Sequence, residues 1–260
     1  MDRSLRLALA GAALAVAVAG TASAQTVDEI VAKNLAARGG VERLKALESA
    51  KITGDVLQQG MKIHVVTYAK RPNMMRRDME STIPPGMPPR AGGPPPGTKV
   101  KTVIAFDGTN VWVMNSLMGD AAQPMTGPQG DLARQDADFD SVLMDYKAKG
   151  HKVELVGKET IDGKSAYHLR VTKKIGFVQE YYLDAETGLE MRTSSVSDQN
   201  GERSEIRTDL SDYRTVNGLT MPFTMKQSIN GKPVAEVSIS TWEVNVPIDD
   251  GIFRMPAAKQ

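Results

Sequence analysis

At 260 residues, with 32 basic and 31 acidic side chains, the chain is large enough for one sizeable core and close to neutral, which argues against a nucleic-acid binder. A hydrophobic content of 41% is that of a globular protein rather than a disordered one. With 0 Cys there is no disulfide framework and no thiol for lipid attachment, so apolar burial alone must hold the fold.

The amino terminus reads as an address. Arg3 and Arg6 precede an apolar run from Leu7 to Gly20, and Ala22-Ser23-Ala24 is a small-x-small cleavage site. The run is too short for a comfortable membrane span. Residues 1–24 are therefore expected to be a cleavable signal peptide, and residues 25–260 an exported, periplasmic domain. Two helices open that domain. Thr26 is placed to cap the first, with Glu29 completing a capping box and Ile30, Val31 and Leu35 at helical spacing. Arg38-Gly39-Gly40 ends it, and a short second helix runs from Val41 to Leu47.

From Ile52 onward the pattern is mainly β. Strands are expected near 51–58, 61–70, 74–80, 100–106, 110–115, 151–158, 165–172, 177–184, 188–196, 203–214, 219–229 and 233–244. Gln59-Gly60, Asp162-Gly163, Asn217-Gly218 and Asn230-Gly231 supply the positive φ angles of tight hairpins, as do Asp107-Gly108, Thr187-Gly188 and Asn200-Gly201. A meander of about eleven antiparallel strands with few helices makes a strongly curved sheet or a barrel. Two segments interrupt it. Ile83 to Gly97 is rich in Pro and Gly and reads as an extended loop, a surface insertion more simply than a recognition segment. Gln135 to Lys149 reads as a helix with an apolar patch of Val142, Leu143, Met144 and Tyr146, following an irregular stretch from Gly119 to Gly130. A lone helix in a β chain has to bury that patch, and the mouth of a curved sheet is the natural place.

The strand 61–70 ends at Lys70-Arg71-Pro72-Asn73, where proline suits an edge, bulge or bend. By alternation Arg71 shares a face with Ile63, Val65, Thr67 and Ala69. The simpler reading is a solvated arginine at a strand end; the other is a cation at the rim of an apolar wall. With 14 Met and only 5% aromatic residues, the interior is adaptable, as suits flexible apolar ligands.

Catalytic motifs are not evident. His64, His151 and His168 lack metal-type spacing, and no nucleophile elbow, P-loop or dinucleotide fingerprint appears. Asp107, Asp136, Asp138 and Asp140 are explained by turn and cap roles. No enzyme, cofactor or metal is expected. Soft ligands at His64, Met74, Met75, Met79 and Met87 leave copper binding as an alternative function.

Taken together, these pieces resemble the LolA/LolB-like superfamily and its periplasmic lipoprotein carriers. Lys70-Arg71-Pro72-Asn73 matches a Lys-Arg-Pro-Asn element after an early strand. Asp107-Gly108-Thr109-Asn110-Val111-Trp112-Val113-Met114-Asn115 is similar to the strand-turn-strand signature, and Phe253-Arg254-Met255-Pro256 to a closing Phe-x-x-Pro. The resemblance implies a half-open antiparallel β-barrel with an amino-terminal helix and a lid helix over an apolar cavity for acyl chains. It implies that Arg71 latches the lid in the empty carrier. On that reading Ile63, Val65, Met75, Trp112 and Met114 form the cavity wall, and Val142, Leu143 and Met144 the lid. The partners would be lipoprotein acyl chains or lipids, an inner-membrane donor complex and an outer-membrane acceptor, with the carrier itself a monomer. The loop at 83–97 is longer than the family turn there, and Met replaces much of the family's Phe and Trp. A lipid or envelope-stress sensor of the same fold is the nearest alternative.

Overall fold

The computed structural model describes residues 25–85, 93–119, 121–199 and 202–257. The expected signal peptide, Met87 in the middle of the Pro-rich loop, and the Asn200-Gly201 turn lie outside them.

Helix α1 spans Val27–Ala37 and α2 Val41–Lys45. The expected capping box is present: Thr26 N–H donates to Glu29 Oε2 (2.8 Å) and Glu29 N–H to Thr26 Oγ1 (3.3 Å). Gly39 ends α1 with φ of 118°, and a Cβ there would lie 2.3 Å from Gly218 O, so only glycine fits between the helix end and the sheet.

The strands follow as β1 Ser49–Gln58, β2 Met61–Lys70, β3 Met74–Thr82, β4 Lys99–Phe106, β5 Val111–Asn115 and β6 Gln123–Pro124. After helix α3 (Gly127–Asp136) come β7 Lys152–Ile161, β8 Lys164–Thr172, β9 Val178–Asp184, β10 Glu190–Gln199, β11 Glu202–Val216, β12 Leu219–Ile229 and β13 Lys232–Val244, then a 3-10 turn at Asp250–Phe253. All belong to one 13-stranded sheet of order β6-β5-β4-β3-β2-β1-β13-β12-β11-β10-β9-β8-β7, with antiparallel neighbours throughout. The first strand thus pairs with the last, while β6 and β7 remain as edges and the barrel stays open. Two-residue hairpins form as expected at Gln59-Gly60, Asp162-Gly163, Asn217-Gly218 and Asn230-Gly231, every one with positive φ. The ends of the Pro-rich loop prolong the β3–β4 hairpin, Ile83 N–H donating to Thr98 O (3.0 Å) and Gly97 N–H to Ile83 O (2.8 Å).

The sheet is strongly curved. Met79 on β3 and Met225 on β12 line one cavity, although four strand spacings would hold them ~19 Å apart in a flat sheet. The inner face carries the main core, where Ile30, Val31 and Leu35 of α1 meet Leu169, Val171, Tyr181 and Leu183. Against the other half of that face, α3 packs Ala133 beside Met75, Phe106 and Val111.

Two expectations are corrected here. The helix expected over 135–149 is absent beyond Asp136: α3 starts earlier, at the end of the stretch expected to be irregular, and residues 137–150 form a strap of turns. Pro128 causes the first difference, because proline in a helix's first turn loses no hydrogen bond. The second follows from local acceptors. Asp138 Oδ1 takes Asp140 N–H (3.2 Å), Ser141 Oγ takes Leu143 N–H (3.3 Å), and Asp145 adopts φ of 53°, all of which compete with helix. Val142, Leu143 and Met144 therefore belong to a strap rather than a lid helix.

Candidate functional site

Regular alternation through β2 carries Arg71 to the inner face, as its parity with Ile63, Val65, Thr67 and Ala69 requires. Its guanidinium reaches across to the strap. Nη1 and Nη2 donate to Asp140 Oδ2 and Oδ1 at 3.0 and 2.7 Å, a bidentate pair. Nε donates to Leu47 O (2.5 Å) and Nη2 also to Leu44 O (3.1 Å), so that the cation caps the C-terminal end of α2 and the residues just after it. The cation also lies over the Phe139 ring, 4.9 Å from its centroid. Hydrogen bonding to Asp140 raises the Arg71 pKa above its ordinary value, against the opposing effect of burial. The solvated strand-end reading does not describe this residue.

Further ties hold the strap. Lys149 Nζ donates to Asp138 Oδ2 (3.1 Å) and Ser141 O (3.3 Å), Lys45 pairs with Asp145 (2.7 Å), and Tyr146 Oη donates to Asp28 Oδ1 (2.7 Å). Leu143 and Met144, 0% and 2% exposed, sink into the main core.

Two adjoining pockets, or lobes, lie on the inner face of the sheet, one of them directly under the strap. The larger, about 420 Å³, is walled by apolar side chains of β1–β3 and β12–β13, including Val56, Ile63, Val65, Met79, Met225 and Val237. The smaller, about 240 Å³, lies directly under the strap and includes Met75, Phe139, Asp140 and Met144. Ile52, Thr67, Arg77 and Trp242 line both.

The structure thus brings Ile63, Val65 and Met75 to the cavity, with Arg71 at its strap. It does not bring Trp112 and Met114 there. The pairing Met75–Phe106–Val111 sets the inner face of β3–β5, so Trp112 opposite Ala105 and Met114 opposite Val103 project outward. Trp112 is buried there against the carboxyl-terminal segment, its Nε1–H donating to Phe253 O (2.7 Å). An aromatic ring with a polar handle settles where the handle finds a partner. Met114 packs beside it.

Sequence reasoning missed Trp242. In β13, alternation from Val237 and Ile239 would turn it outward, but the register with β1 slips between Thr53 and Gly54. Ile52 then faces Trp242 while Gly54 faces Ile239, and both β13 side chains point inward. Two β-branched residues followed by Ser240-Thr241 give no signal of such a bulge. Arg77 was also missed, although its parity with Met75 and Met79 was readable.

The copper ligands do not converge: β2–β3 pairing places Met75 and Met79 on the inner face and His64 and Met74 on the outer one. His64 pairs instead with Asp55 (3.0 Å). His168 sits between Glu159 (2.6 Å) and Glu180 (2.9 Å), stacked on Tyr182, on the face away from the cavity. Among the described residues no group of three or more His, Cys, Asp or Glu is placed to hold a metal.

No family model and no curated protein matches the chain. Solved structures do. A DUF1329 family protein from Desulfovibrio piger superposes with a TM-score of 0.56 at 14% identity, covering 88% of this chain and 97% of its own. A domain described as an outer membrane lipoprotein-sorting protein, from Vibrio parahaemolyticus, gives 0.56 at 12% identity, covering 86% and 94%. A LolA superfamily protein from Nitrosomonas europaea gives 0.55 at 13%, covering 89% and 98%. At such identities the likeness is one of architecture: the chain has the LolA-like open β-barrel fold.

Proposed function

We propose that this protein is an exported carrier of acyl chains, taking those of lipoproteins or lipids into its two-lobed cavity for transfer toward an outer-membrane acceptor. One observation carries the reading: a largely apolar pocket on the inner face of the sheet, sharing part of its wall with a second pocket under a strap that a bidentate pair, Arg71–Asp140, ties to the end of a wall strand. The neighbours described as lipoprotein-sorting and LolA superfamily proteins support it.

Burial of acyl methylenes at roughly 0.8 kcal/mol each is enough to hold a chain without covalent chemistry. No catalytic group is required, and the protein acts by binding and release. The strap is the two-state element, seated over the smaller lobe when the carrier is empty and displaced when cargo enters. An inner-membrane donor and an outer-membrane acceptor would supply and remove the cargo, since a buried chain leaves only for a site at least as apolar. The amino-terminal segment expected to be a signal peptide supports a periplasmic location for the carrier. Native purification from periplasm followed by lipid mass spectrometry tests the reading. Co-purifying acyl lipid or lipoprotein at near-stoichiometric amounts supports it, and a lipid-free protein that also fails to take up a fluorescent fatty acid rules it out.

A further inference from the structure

The two lobes differ in chemistry. The larger is apolar, and at ~30 Å³ for each methylene-sized group its volume of about 420 Å³ holds one chain of about fourteen such groups. Residues at the smaller lobe carry hydrogen-bond donors that have no acceptor. Among the described residues the buried side-chain nitrogens and oxygens without a partner are Asn34 Oδ1, Arg38 Nε and Trp242 Nε1. Two of these three belong to residues lining the smaller lobe. Arg77, on the wall shared by both lobes, makes no side-chain hydrogen bond among the described residues and meets Asp136 at 3.8 Å. By contrast Arg71 and Arg76 are saturated with carboxylate and carbonyl partners. Buried donors left unpaired are rare and costly in native proteins. Two of them, on Arg38 and Trp242, border one lobe at its junction with an apolar channel, and beside them stands the Arg77 guanidinium, 36% exposed and without a close partner among the described residues; together they call for oxygen acceptors.

We infer that the smaller lobe is a head-group site, binding the acceptor oxygens of an acyl carboxyl or ester through Arg77 and the Trp242 indole N–H, with the chain laid in the larger lobe. The inference rests on the carrier reading and adds the orientation and head chemistry of the cargo. Head-group oxygens on Arg77 replace the long contact with Asp136, four residues before the aspartate that Arg71 holds. Cargo recognition is thereby placed at the foot of the strap.

The test uses cis-parinaric acid, its methyl ester and the corresponding alcohol, three probes with one chain and different heads, titrated by fluorescence into the mature protein. The acid, or the acid and the ester alike, is expected to bind about ten-fold or more tightly than the alcohol, the effect of one hydrogen bond to a charged or buried donor. Preference for the acid alone identifies a free carboxylate; equal preference for acid and ester identifies an esterified lipid. Trp242→Phe keeps the ring and removes only the N–H, and Arg77→Met keeps most of the length and removes the charge. Either should collapse the ratio toward one, with thermal melts confirming that both variants fold. Equal binding of all three probes by the wild type, or a ratio that survives both substitutions, overturns the head-group site while leaving the carrier reading intact. Failure of all three probes to bind overturns both.

Discussion

Arg71 and Asp140, 69 positions apart, meet in a two-bond pair that joins the end of a wall strand to the strap over the cavity. Each holds more than the other: Arg71 also caps the end of α2 through Leu44 and Leu47, and Asp140 stands between strap residues that Lys149 gathers. The contact is local in extent and governs how the strap sits.

Arg71→Leu is expected to free the strap. Charge-assisted bonds contribute roughly 1.5–3 kcal/mol each when buried, less here because both side chains keep about a fifth of their surface in water. The loss of stability should be about 1–3 kcal/mol, with faster amide exchange over residues 137–150 and more lipid retained through purification. Arg71→Lys should recover only part of this, since an ammonium cannot reach a carboxylate and two carbonyls in the same fork. Exchange rates and lipid content equal to wild type in Arg71→Leu would show that the pair does not control the strap.

Leu143 and Ile63 should separate stability from binding. Leu143 is fully buried in the main core, so Leu143→Ala should cost about 2–5 kcal/mol in urea unfolding. An aspartate there would unfold the core rather than merely repel ligand. Ile63 lines the larger lobe from a partly exposed position. Ile63→Asp should leave the unfolding midpoint nearly unchanged and weaken fatty-acid probe binding, because a carboxylate must lose its water as the chain enters. If Ile63→Asp bound the probe as the wild type does, the larger lobe would not be the acyl site.

Much of the architecture was legible because hairpin chemistry is local. Asn-Gly and Asp-Gly pairs fix where strands turn back, and turns that short fix antiparallel order. Arg71 was legible because β2 alternates without a break from Ile63 to the proline. The cavity wall was less so, since one irregularity inverts every side chain beyond it. The bulge near Ser240 hid Trp242, and the phase of β5, set by pairing to Phe106, turned Trp112 and Met114 outward. The lid was misread because Pro128 looks like a breaker when it is a helix start, and because the apolar run Val142-Leu143-Met144 carries no mark of the Asp and Ser side chains that draw its backbone away from a helix.

Trp112→Phe provides the contrast to the cavity tryptophan. It removes a satisfied buried bond to Phe253 O and should destabilise by about 1–3 kcal/mol, leaving that carbonyl unpaired. Probe binding should not change, since the ring lies on the outer face. A loss of binding at unchanged stability would mean that this face, and not the inner one, receives the cargo.

The strap should also respond to acid through His151, which follows its last residue. His151 Nδ1 accepts the backbone N–H of Lys174 (3.1 Å), and the backbone N–H of His151 donates to Tyr146 O (2.8 Å) inside the strap. Burial lowers its pKa below the ordinary 6.5, Lys149 and Lys173 act in the same direction, and Asp138 opposes them. The folded state therefore favours the neutral ring. Above pH 6.5 neither folded nor unfolded chain is protonated at this site, and its contribution to stability is complete. As pH falls below 6.5 the unfolded chain takes up a proton that the folded one resists, so stability is lost until the lowered folded pKa is passed. The informative quantity is the difference between wild type and His151→Gln, whose side chain can still accept the Lys174 N–H. Wild type should lose more thermal stability than the variant between pH 7 and about 5, and its amide exchange near residues 146–151 should rise over the same range. Parallel melting profiles for the two proteins would show that His151 does not couple pH to the strap.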